Sequence, residues 1–270
     1  MKPGRQRDYS YPMAQLFFAT TARSAVGLQR KGNEDSGLTS SQVIAVADGM
    51  GGHAAGEVAS RIAISKLEEI SSVITNPEMD SDSAEDLFSE SLNSIESQLK
   101  SESFENPQLS GMGTTLTSLF INGERISLLH IGDSRAYRLR GGSLEQLTLD
   151  HTVIQELLNQ GAITQTDVAT HPQRSVLTQV LMGEGVASAP LIILEGKVGD
   201  RYLLCSDGLS SVLTEKEIKS ILKGKDRQQV VDALIDATYI NGAPDNVTVV
   251  IADLVEGKGE EKLLKIGAAE

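Results

Sequence analysis

Only one of the 270 residues is cysteine, Cys205, which excludes an internal disulfide framework and a four-thiolate zinc site. Tryptophan is missing and aromatics make up 4% of the chain, too few for a platform on which nucleic-acid bases stack. Basic residues are also scarce: 24 Lys and Arg against 37 Asp and Glu leave a formal net charge of −13. A sequence-independent nucleic-acid binder needs a basic face, and a polybasic membrane anchor needs clustered Lys and Arg. Neither is visible. No apolar run approaches the roughly 20 residues that span a bilayer, residues 247–252 being among the longest. Residues 16–19 follow a charged start but are too short for the apolar core of a signal peptide. What remains is a globular monomer of a reducing compartment, expected in the cytoplasm, without nucleic-acid or membrane partners. With 40% hydrophobic residues, such a chain can bury a sizeable core.

No internal repeat or long low-complexity tract interrupts the sequence. One continuous pattern of elements favours a single domain over residues 21–255, between an N-terminal tail (1–20) and a charged, Gly-containing C-terminal tail (256–270). Residues 43–47 form a short apolar run closed by Asp48-Gly49, the signature of a buried strand entering a turn. Helical spacing follows twice, through Val58, Ile62, Leu67, Ile70 and Ile74, then through Leu87, Leu92, Ile95 and Leu99. Asn122-Gly123 between two apolar runs predicts a hairpin, and Gly141-Gly142 predicts a second. A short helix and a polar loop occupy residues 152–176. Strands are expected at 191–194, 202–205 and 247–254, with helices near 215–222 and 227–238. This is not the alternation of a parallel-sheet protein. An α+β fold fits better, with antiparallel sheets packed face to face and helices on the outer faces.

Four aspartates share one setting. Asp48 ends an apolar run before Gly49, Asp133 follows Leu-Leu-His-Ile-Gly, Asp207 follows Tyr-Leu-Leu-Cys-Ser, and Asp245 stands just before the last strand. The pair Glu34-Asp35 closes a fifth polar segment. Carboxylates gathered at the ends of neighbouring strands repel one another unless cations intervene. Hard divalent ions such as Mg²⁺ or Mn²⁺, with all-oxygen shells, suit them. An isolated Asp-Gly could simply make a turn, but four joined to apolar runs are hard to read that way.

The block Asp48-Gly-Met-Gly-Gly-His-Ala-Ala-Gly-Glu57 resembles the signature of the metal-dependent Ser/Thr protein phosphatases, the protein phosphatase 2C family, in its bacterial form. Residues 24–35, Gly111-Met-Gly-Thr-Thr115, Ile131-Gly-Asp-Ser-Arg135, Cys205-Ser-Asp-Gly-Leu209 and Asp245-Asn-Val-Thr248 resemble its other blocks, in the same order. The likeness runs from about residue 20 to 254. It extends to catalytic domains of actinobacterial phosphatases that oppose membrane-bound Ser/Thr kinases, whose longer chains carry a membrane segment that this one is expected to lack. The resemblance implies a four-layer α-β-β-α sandwich, with phosphorylated proteins, Ser/Thr kinases among them, as partners. It implies that Asp48 bridges two Mn²⁺ or Mg²⁺ ions and that the Gly49 carbonyl ligates one. Asp207 and Asp245 would complete the other shell, and Asp133 would hold a weaker third ion, with Ser175 adding an oxygen. Glu34 and Asp35 would act through water, and Arg30 would grip the phosphate, a task suited to a planar guanidinium. His53 resembles the general acid. Ala25 stands where members commonly carry Asp, and Met182 departs from the usual pattern near the segment 152–176, which reads as a flap beside the site.

Two metals roughly 3.5–4 Å apart can activate a shared water for in-line attack at phosphorus, so the expected reaction is hydrolysis of phosphoserine and phosphothreonine. Cysteine-dependent phosphatase chemistry fails here because position 211, six residues after Cys205, is Ser211 rather than Arg, and Cys205 reads as buried packing. There is no Walker A pattern, and a dinucleotide fingerprint fails at Ala54. A catalytically dead phosphoprotein-binding module would be expected to lack a core ligand, and all four aspartates are present. A metallohydrolase of small phosphate esters remains an alternative, because the metal chemistry does not depend on what carries the phosphate. His130 reads as sheet packing. His151 and His171 flank the 152–176 segment, as loop residues or substrate contacts.

Overall fold

The computed structural model describes residues 15–51, 55–76, 79–168, 170–185, 189–257, 259 and 262–270. Three strands come first: β1 (Leu16–Ala25), β2 (Asp35–Thr39) and β3 (Val43–Met50). Helices α1 (Ala55–Ile74) and α2 (Ser81–Glu105) follow, then β4 (Gly113–Thr114). The hairpin β5 (Leu116–Asn122) and β6 (Arg125–Ile131) turns at Gly123, whose φ is +65°, and β7 (Arg135–Arg140) and β8 (Ser143–Gln146) turn at Gly141-Gly142. Next come α3 (Val153–Asn159), α4 (Gln165–Val168), β9 (Ile192–Glu195), β10 (Arg201–Cys205) and α5 (Asp207–Ser210). The chain closes with α6 (Glu215–Leu222), α7 (Arg227–Ile240), β11 (Val247–Glu256) and β12 (Leu264–Gly267). Among the described residues, no helix is long and apolar enough to cross a membrane.

The strands form two antiparallel sheets. One runs β1-β11-β10-β7-β8 and the other β12-β2-β3-β5-β6-β9, with β4 pairing β3. The two-residue period of the strands splits their side chains between layers. Ile44 and Val46 of β3 meet Tyr202, Leu204, Val250 and Ala252 between the sheets. Val43, Ala45 and Ala47 turn the other way, onto Ala59, Ala63, Ile64 and Leu67 of α1. On the opposite outer face, Leu203, Val249 and Ile251 pack against Val230, Val231, Leu234 and Ile235 of α7. Four layers result, α-β-β-α. Cys205 is buried in that last layer as a free thiol.

Strand pairing reaches into both segments read as tails. β1 is in register with β11 from Leu16 opposite Glu256 to Ala25 opposite Val247, and Phe18 is fully buried against Tyr202. β12 lies along β2, with Ile266 packed over Gly37 and Ala269 buried in the helix-side core. Charge and glycine suggested a solvated end from Glu256. Hydrogen bonding to an open sheet edge outweighs that local bias.

Candidate active site

The strand registers bring the acidic residues to one end of the sandwich. Asp35 at the start of β2 pairs with Asp48 near the end of β3, so two carboxylates of adjacent strands stand opposite each other. Asp133 lies in the turn from β6 to β7, Asp207 opens α5 after β10, and Asp245 leads into β11. Asp35 is completely buried, whereas Asp48, Asp133, Asp207 and Asp245 keep partial exposure. Asp35 Oδ2 accepts from the Ser206 hydroxyl at 2.7 Å, which spans the gap between the sheets. Its other oxygen, Oδ1, is buried with no hydrogen-bond partner.

This arrangement raises the carboxyl pKa values. Burial pushes Asp35 up to about 7, and burial with the Asp207 charge pushes Asp133 up to about 7. Asp48 is raised well above the usual carboxylate range by burial and then by Asp35 and Asp207, and Asp207 is raised by burial and Asp245. Among the described residues, no three His, Cys, Asp or Glu side chains are drawn closely enough together to hold an ion as they stand. The donor set nevertheless fits a hard divalent cation: carboxylates only, mutually repelling, with one buried oxygen left unpaired. Bound cations would relieve that repulsion.

Backbone geometry closes the floor of the site. A Cβ on Gly49 would meet the Gly56 carbonyl oxygen at 2.0 Å and the Glu34 carbonyl oxygen at 2.6 Å, and the Gly49 N–H donates to the latter. Only glycine lets α1 dock this closely on β3. Arg30, half exposed, donates to Asp245 at 2.6 Å and has Glu34 at 3.9 Å. The Asp245 hydrogen bond holds its guanidinium protonated all the more firmly, while burial raises Glu34. A cavity of about 530 Å³ opens beside Asp133 and Asp207, with Arg135, Asp150, Arg174 and Ser175 also on its walls. Ser175 thus reaches the same cavity as Asp133, and residues of the 152–176 segment form one side of it. His53 lies outside the described residues, and His171, in that segment, accepts from the Gln173 N–H. His130 is buried in β6, as read, but it stacks on His151.

Two organising residues were not singled out from sequence, although both sit inside quoted blocks. Ser206 carries Asp35, and Asn246 accepts from the Glu34 N–H while donating to the Val26 and Gly32 carbonyls. Asn246 thereby pins the Arg30 loop beside Asp245.

A pH dependence follows. Asp133 binds its proton more tightly folded, up to about 7, than its usual 3.8. Its contribution is therefore favourable at low pH and is lost as pH rises through about 7. In chelator, wild type should melt progressively below Asp133→Asn as pH increases across that window. A constant difference from pH 4 to 8 would show that Asp133 is not withdrawn from solvent.

Comparison with known proteins agrees with this architecture. The profile of the family described as Protein phosphatase 2C matches residues 33–238. The chain is 42% identical over 244 residues to the serine/threonine protein phosphatase PstP of Mycobacterium tuberculosis, covering 89% of this chain and 46% of that protein. It is 33% identical over 241 residues to the serine/threonine phosphatase stp of Listeria monocytogenes, covering 86% of this chain and 94% of that one. The crystal structure of M. tuberculosis PstP superposes with a TM-score of 0.82 at 42% identity, over 88% of this chain and 99% of that one. The PstP catalytic domain in complex with two manganese ions gives 0.82 at 40% identity, over 89% and 99%. Sheets packed face to face beneath flanking helices match the architecture of these solved phosphatase structures. The chain belongs to the protein phosphatase 2C family. It spans about half the length of the full PstP protein.

Proposed function

We propose that this chain hydrolyses phosphoserine and phosphothreonine in proteins with Mn²⁺ or Mg²⁺, opposing bacterial Ser/Thr kinases. The observation that carries the reading is the pairing of Asp35 with Asp48 across β2 and β3, with Asp133, Asp207 and Asp245 at the same end of the sandwich. In this reading Asp48, the Gly49 carbonyl, Asp207 and Asp245 hold two ions, and Asp133 with Ser175 holds a weaker third. When bound, the ions would supply an acidified water and positive charge for the phosphoryl oxygens. Asp35, whose Oδ2 accepts from the Ser206 hydroxyl, and Glu34 act through water in this reading. Arg30 already sits at the rim on Asp245 and can turn its fork towards a phosphate dianion. His53 is assigned the proton that the departing serine or threonine oxygen requires. The relatives named as serine/threonine phosphatases support the substrate class.

The test is phosphate release from a phosphothreonine peptide with Mn²⁺, with and without chelator, beside sugar phosphates and nucleotides. Release that needs Mn²⁺ and favours the peptide is expected. Faster turnover of the small esters would replace the protein-phosphatase reading with that of a small-ester hydrolase, and release unaffected by chelator would end the metal reading.

A further inference from the structure

Two histidines that the proposed reaction does not use lie against each other beside Asp133. His130 stands near the end of β6, and His151 heads the segment leading into α3. Their ring centroids are 4.8 Å apart with planes inclined by 30°. His130 Nδ1 lies 2.9 Å from the Thr117 hydroxyl on β5, and its Nε2 lies 3.1 Å from the Leu149 carbonyl oxygen. Burial disfavours the charged form of both imidazoles, pushing His130 down to about 3 and lowering His151.

His151 makes the more specific contacts. Its backbone N–H donates to the Gly132 carbonyl at 2.8 Å, and its Nδ1 accepts from the Gly132 N–H at 3.1 Å. One residue therefore engages both backbone polar groups of the glycine immediately before Asp133. Accepting that N–H requires Nδ1 to be unprotonated, which puts the ring proton on Nε2. Gly132 has little freedom to respond: its φ is +105°, and a Cβ there would stand 2.5 Å from Thr115 Cγ2. The other side of His151 serves the 152–176 segment. Its carbonyl accepts from the Thr178 N–H at 2.9 Å, Thr152 pairs with Leu177, and the Thr152 hydroxyl caps α3. The turn that carries Asp133 and both roots of the segment beside the cavity thus converge on His151.

We propose that His151 is a positioning residue: by gripping Gly132 at its N–H and its carbonyl, it sets the direction in which Asp133 faces the cavity. The same residue ties the roots of the 152–176 segment to that frame. The proposal rests on the phosphatase reading, because that reading gives Asp133 its ion.

Two variants separate the acceptor from the bulk of the ring. His151→Leu fills much of the space and offers no acceptor, whereas His151→Asn keeps an oxygen within reach of Gly132. Outer-shell partners of metal ligands typically contribute about 10–100-fold in affinity. His151→Leu should weaken the weakest Mn²⁺ site by that range in calorimetric titration and accelerate hydrogen exchange at the Gly132 amide. His151→Asn should restore both, and circular dichroism melting of each variant establishes that it is folded. An unchanged Mn²⁺ isotherm and unchanged Gly132 exchange in folded His151→Leu would overturn the proposal. So would equal losses in His151→Asn, which would make ring bulk, not the acceptor, the determinant. If His151→Leu does not fold, a Gly132 amide left unprotected in folded His151→Asn overturns it by itself. Phosphate release by the wild type, measured alongside, tests the phosphatase reading separately, since neither Gly132 exchange nor Mn²⁺ affinity requires turnover.

Discussion

Asp48→Asn should reduce phosphate release to the metal-free background and, in chelator, raise the melting temperature above that of wild type. Both follow from the position of Asp48, opposite Asp35 and near Asp207 and Asp133, with its pKa raised by burial and by those charges. Neutralising one member of a repelling set stabilises the metal-free fold. The same change removes the charge at the centre of the donor set, so added Mn²⁺ should raise the melting temperature of wild type but not of Asp48→Asn. The two effects have opposite signs, which separates loss of a ligand from loss of structure. Near-wild-type turnover in Asp48→Asn would defeat the two-metal reading. A lower melting temperature in chelator would mean that Asp48 is stabilised by contacts rather than opposed by its neighbours.

Gly49→Ala should be among the most damaging single-methyl additions available in this chain. The added carbon would meet backbone on both sides, the Gly56 carbonyl at 2.0 Å and the Glu34 carbonyl at 2.6 Å, and backbone cannot rotate away as a side chain can. Gly56 is also too close in reverse, because a Cβ there would lie 2.8 Å from the Gly49 carbonyl oxygen. Relief requires the first turn of α1 to lift from β3, which opens the helix-side core around Ala55 and Ala59. The cost should reach the upper end of the overpacking range, about 3 kcal/mol. A urea midpoint lowered at unchanged slope would register it as lost stability. A midpoint close to wild type would show that α1 and β3 are less closely docked than their backbone separation indicates.

What could be read in advance was whatever is local. Asp48, Asp133 and Asp207 each close an apolar run, and a buried strand running into Asp-Gly announces itself within ten residues. The hairpins at Asn122-Gly123 and Gly141-Gly142 turn on positive-φ glycines and appear where their sequences place them. β2 was not foreseen, because Asp-Ser-Gly-Leu-Thr has poor strand propensity, and it becomes a strand through pairing on both sides. The hydroxyl that supports its first residue, Asp35, belongs to Ser206, 171 residues away. No periodicity encodes a partner at that separation. The family resemblance supplied the roles of Arg30 and Ser175. The structure adds that Arg30 is held by Asp245 and that Ser175 shares the cavity with Asp133.

β12, the edge strand of the second sheet, reaches the acidic end of the molecule through β2. The Ala268 N–H donates to the Asp35 carbonyl at 2.8 Å, and a side chain on Gly267 would strike that same oxygen at 2.3 Å. Gly267 and Ala268 therefore rest against the backbone of the fully buried Asp35. Because β12 is paired with β2 over four residues, displacing residues 264–268 would act directly on the backbone of Asp35.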